Sequence, residues 1–109
     1  MSAASNNVQG QLDALVRCIV EEVHPLQIVL FGSAARGDMK PDSDLDVLVV
    51  MPDGTHRRKV AQRLYRTIQG ITIPYDILVA TPSDLDRHRD NIGLIYYTIV
   101  REGKMLYAA

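Results

Sequence analysis

The sequence predicts a small α/β domain (in the α+β sense), a mixed β-sheet of three to four strands flanked by helices. Three observations carry that expectation. Segments with apolar residues at helical spacing alternate with short apolar runs along 109 residues. Those runs are apolar on both faces, as expected for strands covered on both sides. Proline and glycine fall between the segments and mark their ends. The predicted element order is α-β-α-β-α-β-α-α-β, the pattern of helices layered against one sheet.

Composition narrows the class. Hydrophobic residues make up 47% and charged residues 23%, with a formal net charge of −1. That is ordinary for a globular domain and gives no basic footprint for nucleic acid. Cys18 is the only cysteine, so no intrachain disulfide forms, which fits a reducing cytoplasm. Cys18 itself reads as a small half-buried residue. No apolar run is long enough to span a bilayer, so no membrane partner is expected. Residues 1–7 lack a signal-peptide pattern and read as a flexible tail before a single domain over residues 8–109.

The elements follow in order. Leu12, Leu15, Val16, Ile19, Val20 and Val23 predict an amphipathic helix from Val8 to Glu22, capped by Ser5, Asn6 or Asn7. His24-Pro25 ends it. Gln27 to Phe31 is a first strand, and Ser33 to Asp38 a short helix. Leu45 to Met51 is a second strand. Thr55 caps a helix running to about Gln69, with Val60, Ala61, Leu64 and Ile68 inward and Gly70 as its stop. Ile71 to Ala80 is a third strand. Thr81 caps a short helix with Pro82 at its first position. A further helix is expected from Asn91 to Glu102, and Lys104 to Tyr107 as an edge strand.

The stretch Ile28 to Val50, IVLFGSAARGDMKPDSDLDVLVV, holds the candidate chemistry. Asp44 and Asp46 are two apart at the entrance of a strand, so both point to one face. Adjacent carboxylates repel unless a cation lies between them, and their oxygens suit Mg²⁺. Asp76 interrupts an otherwise apolar strand, which is costly for an unpaired acid. If its strand neighbours the second one, Asp76 completes a cluster of three. Gly32-Ser33 opens a short helix directly after the first strand, where free N–H groups favour an anion. The glycine spacing Gly32 to Gly37 also fits a P-loop. The next residue is Asp38, where a P-loop needs lysine, so that reading is rejected.

Gly32-Ser33, ten residues, then Asp44-x-Asp46 resembles the signature of the DNA polymerase β-like nucleotidyltransferase superfamily. Four such positions match by chance on the order of once in 10⁵ windows, against about a hundred windows here. The short chain is similar to the minimal nucleotidyltransferases of bacteria and archaea, often the antitoxin partners of HEPN-domain toxins. The resemblance implies the nucleotidyltransferase fold and transfer of an NMP, AMP from ATP, to a hydroxyl of a partner protein. It implies that Gly32 and Ser33 hold the triphosphate and that Asp44 and Asp46 bind two Mg²⁺ ions. Asp76 would bind the catalytic metal and accept the proton of the attacking hydroxyl. It further implies a HEPN-domain partner encoded nearby.

Other residues carry two readings each. Arg36 lies in the family's GS-x-x-R-G pattern and reaches either a phosphate or an acid such as Asp42. Asp38 and Asp42 read as turn and capping residues. Arg57, Arg58, Lys59, Arg63 and Arg66 crowd the helix over 55–69, either as a solvated face or as a docking surface for an acidic partner. Tyr96-Tyr97 reads as core and rim. Two alternatives to protein modification stand: a non-catalytic module that neutralises its partner by occlusion, and transfer to a small molecule such as an aminoglycoside. The second needs another subunit, which a homodimer would supply.

Overall fold

Four strands form one mixed sheet in the order β3-β2-β1-β4. They are β1 (Gln27–Phe31), β2 (Leu45–Val50), β3 (Tyr75–Ala80) and β4 (Lys104–Ala108). The helices are α1 (Ala3–Val23), α2 (Gly32–Arg36), α3 (Arg57–Thr67) and α4 (Pro82–His88). The computed structural model describes residues 3–38, 40, 43–88, 99 and 101–109. The expected helix over 91–102 lies largely outside them, as do Asp42, Tyr96 and Tyr97. Ile99, Arg101 and Glu102 are helical.

The central strand β1 pairs antiparallel with β2, from Gln27↔Val50 to Phe31↔Asp46, and antiparallel with β4 on its other side. β2 pairs parallel with β3, and Asp46 lies opposite Asp76. A parallel pair needs a crossover, and α3 supplies it. One face of the sheet is covered by α1 and α3. There Leu15, Ile19, Ile28, Val47, Val49, Leu64, Ile77 and Val79 form the main core. The other face holds Phe31, Leu48, Val50, Ala80 and Ile99, with Val29, Leu78 and Leu85 packed against them. Both faces of β2 are therefore buried, which explains its unbroken apolar run. Cys18 is half-buried against the main core, as its position predicts. No helix among the described residues is long and apolar enough to cross a membrane.

Several boundaries differ from the sequence expectation, each for a local reason. α1 begins at Ala3 rather than Val8, so Ser5, Asn6 and Asn7 lie inside the helix instead of capping it. Nothing in Ala3-Ala4-Ser5-Asn6-Asn7 forbids helix, and alanine favours it. The helix stops where expected: His24 takes a positive φ of 49° and donates to the Val20 carbonyl before Pro25. α3 is capped by His56, not Thr55. The imidazole Nδ1 accepts from the Lys59 amide at 3.3 Å, while the Thr55 amide closes a turn onto Pro52. β3 starts at Tyr75 rather than Ile71. The Thr72 and Ile73 amides donate to the Gln11 side chain at 2.7 and 2.9 Å, so α1 takes the groups a longer strand would use. Pro74 has no N–H to offer a ladder. α4 starts as predicted, with Thr81 and Asp84 exchanging side-chain to backbone bonds in a capping box. β4 lies at a sheet edge, as expected.

Candidate functional site

Three strand ends meet at one corner of the sheet. β1 ends at Phe31, directly opposite Asp46 near the start of β2, and Asp46 is level with Asp76 on β3. Side chains alternate along a strand, so Asp46 shares the face of Leu48 and Val50, and Asp76 that of Leu78 and Ala80. Both carboxylates open onto a depression of about 330 Å³ whose other walls are Phe31, Ile77 and Leu78. Asp44 precedes β2 and is exposed. It does not line the depression, although its charge acts on Asp46.

Asp46 is half-buried. Burial first, then the charge of Asp76, then that of Asp44, push its carboxyl above the ordinary value near 3.8. Like charges and desolvation act in the same direction here. Among the described residues, no three acidic, histidine or cysteine side chains converge on one point as metal donors. The structure thus brings Asp46 and Asp76 together and leaves Asp44 at their side. The donor set is all carboxylate oxygen, which is the chemistry of a hard divalent cation.

Gly32 is pressed against Asp46. A Cβ at position 32 would collide with the Asp46 carboxylate, and the backbone there has φ +73°. Both conditions require glycine. The chain turns at once into α2, which closes at Gly37 in the left-handed region. There the Gly37 amide donates to the Ala34 carbonyl and the Asp38 amide to the Ser33 carbonyl, at 3.4 and 2.9 Å. This is a Schellman closure, and it fixes the angle at which Ser33 leaves β1. Ser33 lies one residue beyond the glycine and is half-buried. α2 therefore runs from Gly32 to Arg36, one residue earlier at its start and two at its end than the sequence suggests.

Arg36 pairs with Asp38 at 3.3 Å, an exposed contact within the same turn. The acid next to it is thus Asp38 rather than the suggested Asp42, which is not among the described residues. On α3, Arg57 is bound to Asp84 at 3.2 Å and Arg63 to Glu22 at 2.8 Å. Two of the five basic residues of that helix therefore tie it to α4 and α1, which is a structural role.

One residue at the site escaped the sequence reading. The Tyr65 hydroxyl, on α3, donates to Asp76 Oδ1 at 3.1 Å and accepts from the Ile77 amide at 2.8 Å. Its ring stacks on Tyr75, with centroids 5.8 Å apart and planes 10° apart. Burial raises the Tyr65 pKa above 10, and Asp76 adds to that, so the phenol stays protonated. The only sequence signal is its place beside Leu64, at the border of the helix's apolar face. Helical periodicity does not show that a border residue reaches the edge of the third strand.

Known proteins place this geometry in context. A Methanocaldococcus jannaschii protein named "Putative protein adenylyltransferase" is 35% identical over 54 residues, which is 50% of this chain and 54% of that protein. The chain therefore spans about half the length of the curated relative it matches. The fold is shared with a crystal structure described as a "putative nucleotidyltransferase" from Sulfolobus solfataricus. The TM-score is 0.55 at 23% identity, covering 90% of this chain and 86% of that one. It is also shared with a toxin–antitoxin structure with AMP-PNP, at TM-score 0.54 and 23% identity, covering 92% and 73% of the two chains. A mutant of the toxin–antitoxin pair MntA-HpeT matches at TM-score 0.55 and 20% identity over the same shares. The model of the nucleotidyltransferase domain matches residues 12–104, which includes every strand-end residue described above. This chain belongs to the nucleotidyltransferase domain family.

Proposed function

We propose that the chain is a Mg²⁺-dependent nucleotidyltransferase that moves AMP from ATP to a hydroxyl of a partner protein. The observation that carries this is the level pairing of Asp46 with Asp76 on adjacent strands, with Gly32 against Asp46. Asp44, Asp46 and Asp76 are the metal ligands, and Gly32 and Ser33 hold the triphosphate. Arg36 lies one helical turn beyond Ser33, at the edge of the phosphate side, and exchanges Asp38 for phosphate on binding. The acceptor hydroxyl attacks the α-phosphorus, pyrophosphate leaves, and Asp76 takes the hydroxyl proton. Two Mg²⁺ ions, when bound, neutralise the charge on the transferring phosphate and on the leaving group.

The chain's own residues set the geometry. Gly32 lets the backbone come within contact of Asp46, so phosphate and metal sites adjoin. The raised pKa of Asp46 marks a site where burial and neighbouring acids act together, with no cation set against them among the described residues. Phe31, Ile77 and Leu78 give the depression an apolar floor.

The relatives bear on the acceptor and the partner. One carries protein adenylyltransferase in its name, and two neighbours are toxin–antitoxin structures, one of them with AMP-PNP. They support a protein acceptor, a toxin-type partner and ATP as donor. The HEPN class of that partner rests on the sequence resemblance, and a reducing cytoplasm on the single cysteine. The test is incubation with radiolabelled ATP, Mg²⁺ and the protein encoded next to it. Label on that protein is the expected result, lost in the Asp44→Asn, Asp46→Asn double variant. If the partner stays unlabelled while ATP binds, protein modification is wrong. If the double variant still neutralises the partner while charge reversal at Arg63 and Arg66 does not, occlusion replaces catalysis. Label on an aminoglycoside instead would redirect the reading to small-molecule transfer.

A further inference from the structure

We propose that Tyr65 is a positioning residue for Asp76, holding one carboxylate oxygen so that the other is presented to the metal. This rests on the reading of Asp76 as a metal ligand. β3 is an edge strand, and Asp76 is exposed on it. An exposed aspartate on an edge rotates freely unless something holds it. Tyr65 does so with an unusual economy of parts. The Ile77 amide faces the open edge of the sheet and donates to the Tyr65 hydroxyl at 2.8 Å. That bond fixes the phenolic oxygen and leaves its single proton to go elsewhere. Asp76 Oδ1 lies 3.1 Å away and receives it. No other hydrogen bond to the Asp76 carboxylate is found among the described residues. The ring cannot swing aside freely, because it stacks nearly parallel on Tyr75.

The pattern is that of a ligand oriented from outside its coordination shell. A carboxylate with one oxygen held by a neutral donor keeps its charge and its second oxygen for a cation. It also suits the repulsion between Asp46 and Asp76, since a donor on Asp76 offsets part of the negative charge that Asp76 presents to Asp46. A tyrosine serving the fold alone would need only the Ile77 amide. The contact with Asp76 is what extends its role to the site.

Tyr65→Phe keeps the ring stack and removes only the hydroxyl. Mn²⁺ affinity in the presence of AMP-PNP, read by electron paramagnetic resonance, should weaken about tenfold or more. In an Asp76→Ala background the same change should have no further effect on Mn²⁺ binding. The melting temperature, followed in parallel, should fall by about 5 °C or less. Wild-type Mn²⁺ affinity in Tyr65→Phe overturns the proposal. So does an equal loss in both backgrounds, because Tyr65 would then act without Asp76. If the unaltered chain binds no Mn²⁺ with AMP-PNP, the metal-site reading itself fails and this proposal with it. Should Tyr65→Phe not fold, 3-fluorotyrosine placed at position 65 gives the same answer in the intact chain. Its fluorine resonance should move with Mg²⁺ at the metal's own dissociation constant in the presence of AMP-PNP, and a resonance that does not respond overturns the role.

Discussion

Asp84 and Asp46 are both acids drawn into the protein, and the chain treats them in opposite ways. The Asp84 side chain is 12% exposed. Burial works to raise its pKa, but the Thr81 amide and hydroxyl, then Arg57 and Arg87, outweigh it and leave the pKa lowered. Asp46 has no such company among the described residues. Burial, Asp76 and Asp44 all push its pKa up. An acid surrounded by donors and cations holds a corner of the fold together. An acid surrounded by other acids is tolerated at a cost, and that is the mark of a site kept for a ligand.

The sharpest way to break this contrast is to neutralise each acid and compare. Asp46→Asn should lower nucleotidyl transfer by about 10³-fold, the scale of losing a group that stabilises transition-state charge. Its melting temperature should hold or rise, because a repulsion is removed; a marked fall in calorimetry would place Asp46 with the structural acids. Gly32→Ala forces a left-handed φ on a residue with a Cβ, which costs about 1–2 kcal/mol before the collision with Asp46 is added. Urea denaturation should show that loss, and AMP-PNP binding should fall with it.

Asp84→Ala should cost about 2 kcal/mol of stability, the scale of leaving buried donors unpaired. Transfer activity per folded molecule should be unchanged. The pH dependence follows from the signs. The folded pKa of Asp84 is lowered, so its stabilisation is present above the unfolded carboxylate pKa and is lost as pH falls through the folded value. The folded pKa of Asp46 is raised, so its cost is present above the folded value and disappears as pH falls toward the unfolded one. Melting curves between pH 3 and 7 should therefore show Asp84→Asn below the parent and Asp46→Asn at or above it near pH 7, with both differences shrinking as the pH falls. The smallest effect belongs to Arg63→Ala. Its pair with Glu22 is largely solvated, and the expected loss is under about 1 kcal/mol.

The β1–β2 half of the site was legible because its parts are local. A strand, a glycine at a tight turn, and two acids at a strand entrance each leave a mark within a few residues. Face assignment for Asp46 followed from alternation alone, and the neighbourhood of Asp76 needed only the guess that its strand lies next to β2. The β3 side was less legible because its partners are distant in sequence. Gln11 fixes where β3 begins, Tyr65 reaches Asp76, and Arg57 meets Asp84 across 27 positions. Such contacts depend on how helices sit over a sheet, which periodicity does not encode. The substitution of His56 for Thr55 as the cap of α3 has a similar origin. Both residues can accept a hydrogen bond, and the turn at Pro52 decides which one is placed to do so.

The parallel pairing of β2 with β3 also orders the assembly of the chain. Asp76 reaches Asp46 only after residues 51–74 have folded back through α3, whereas β1 and β2 close over a shorter connection. Non-local closure is the slower event, so the two acids meet late, and their repulsion is felt at that step. Salt screens such a repulsion. Stopped-flow refolding should accelerate with added NaCl, and the acceleration should shrink in Asp46→Asn. The two acids that face each other at this corner are thus also expected to slow its formation.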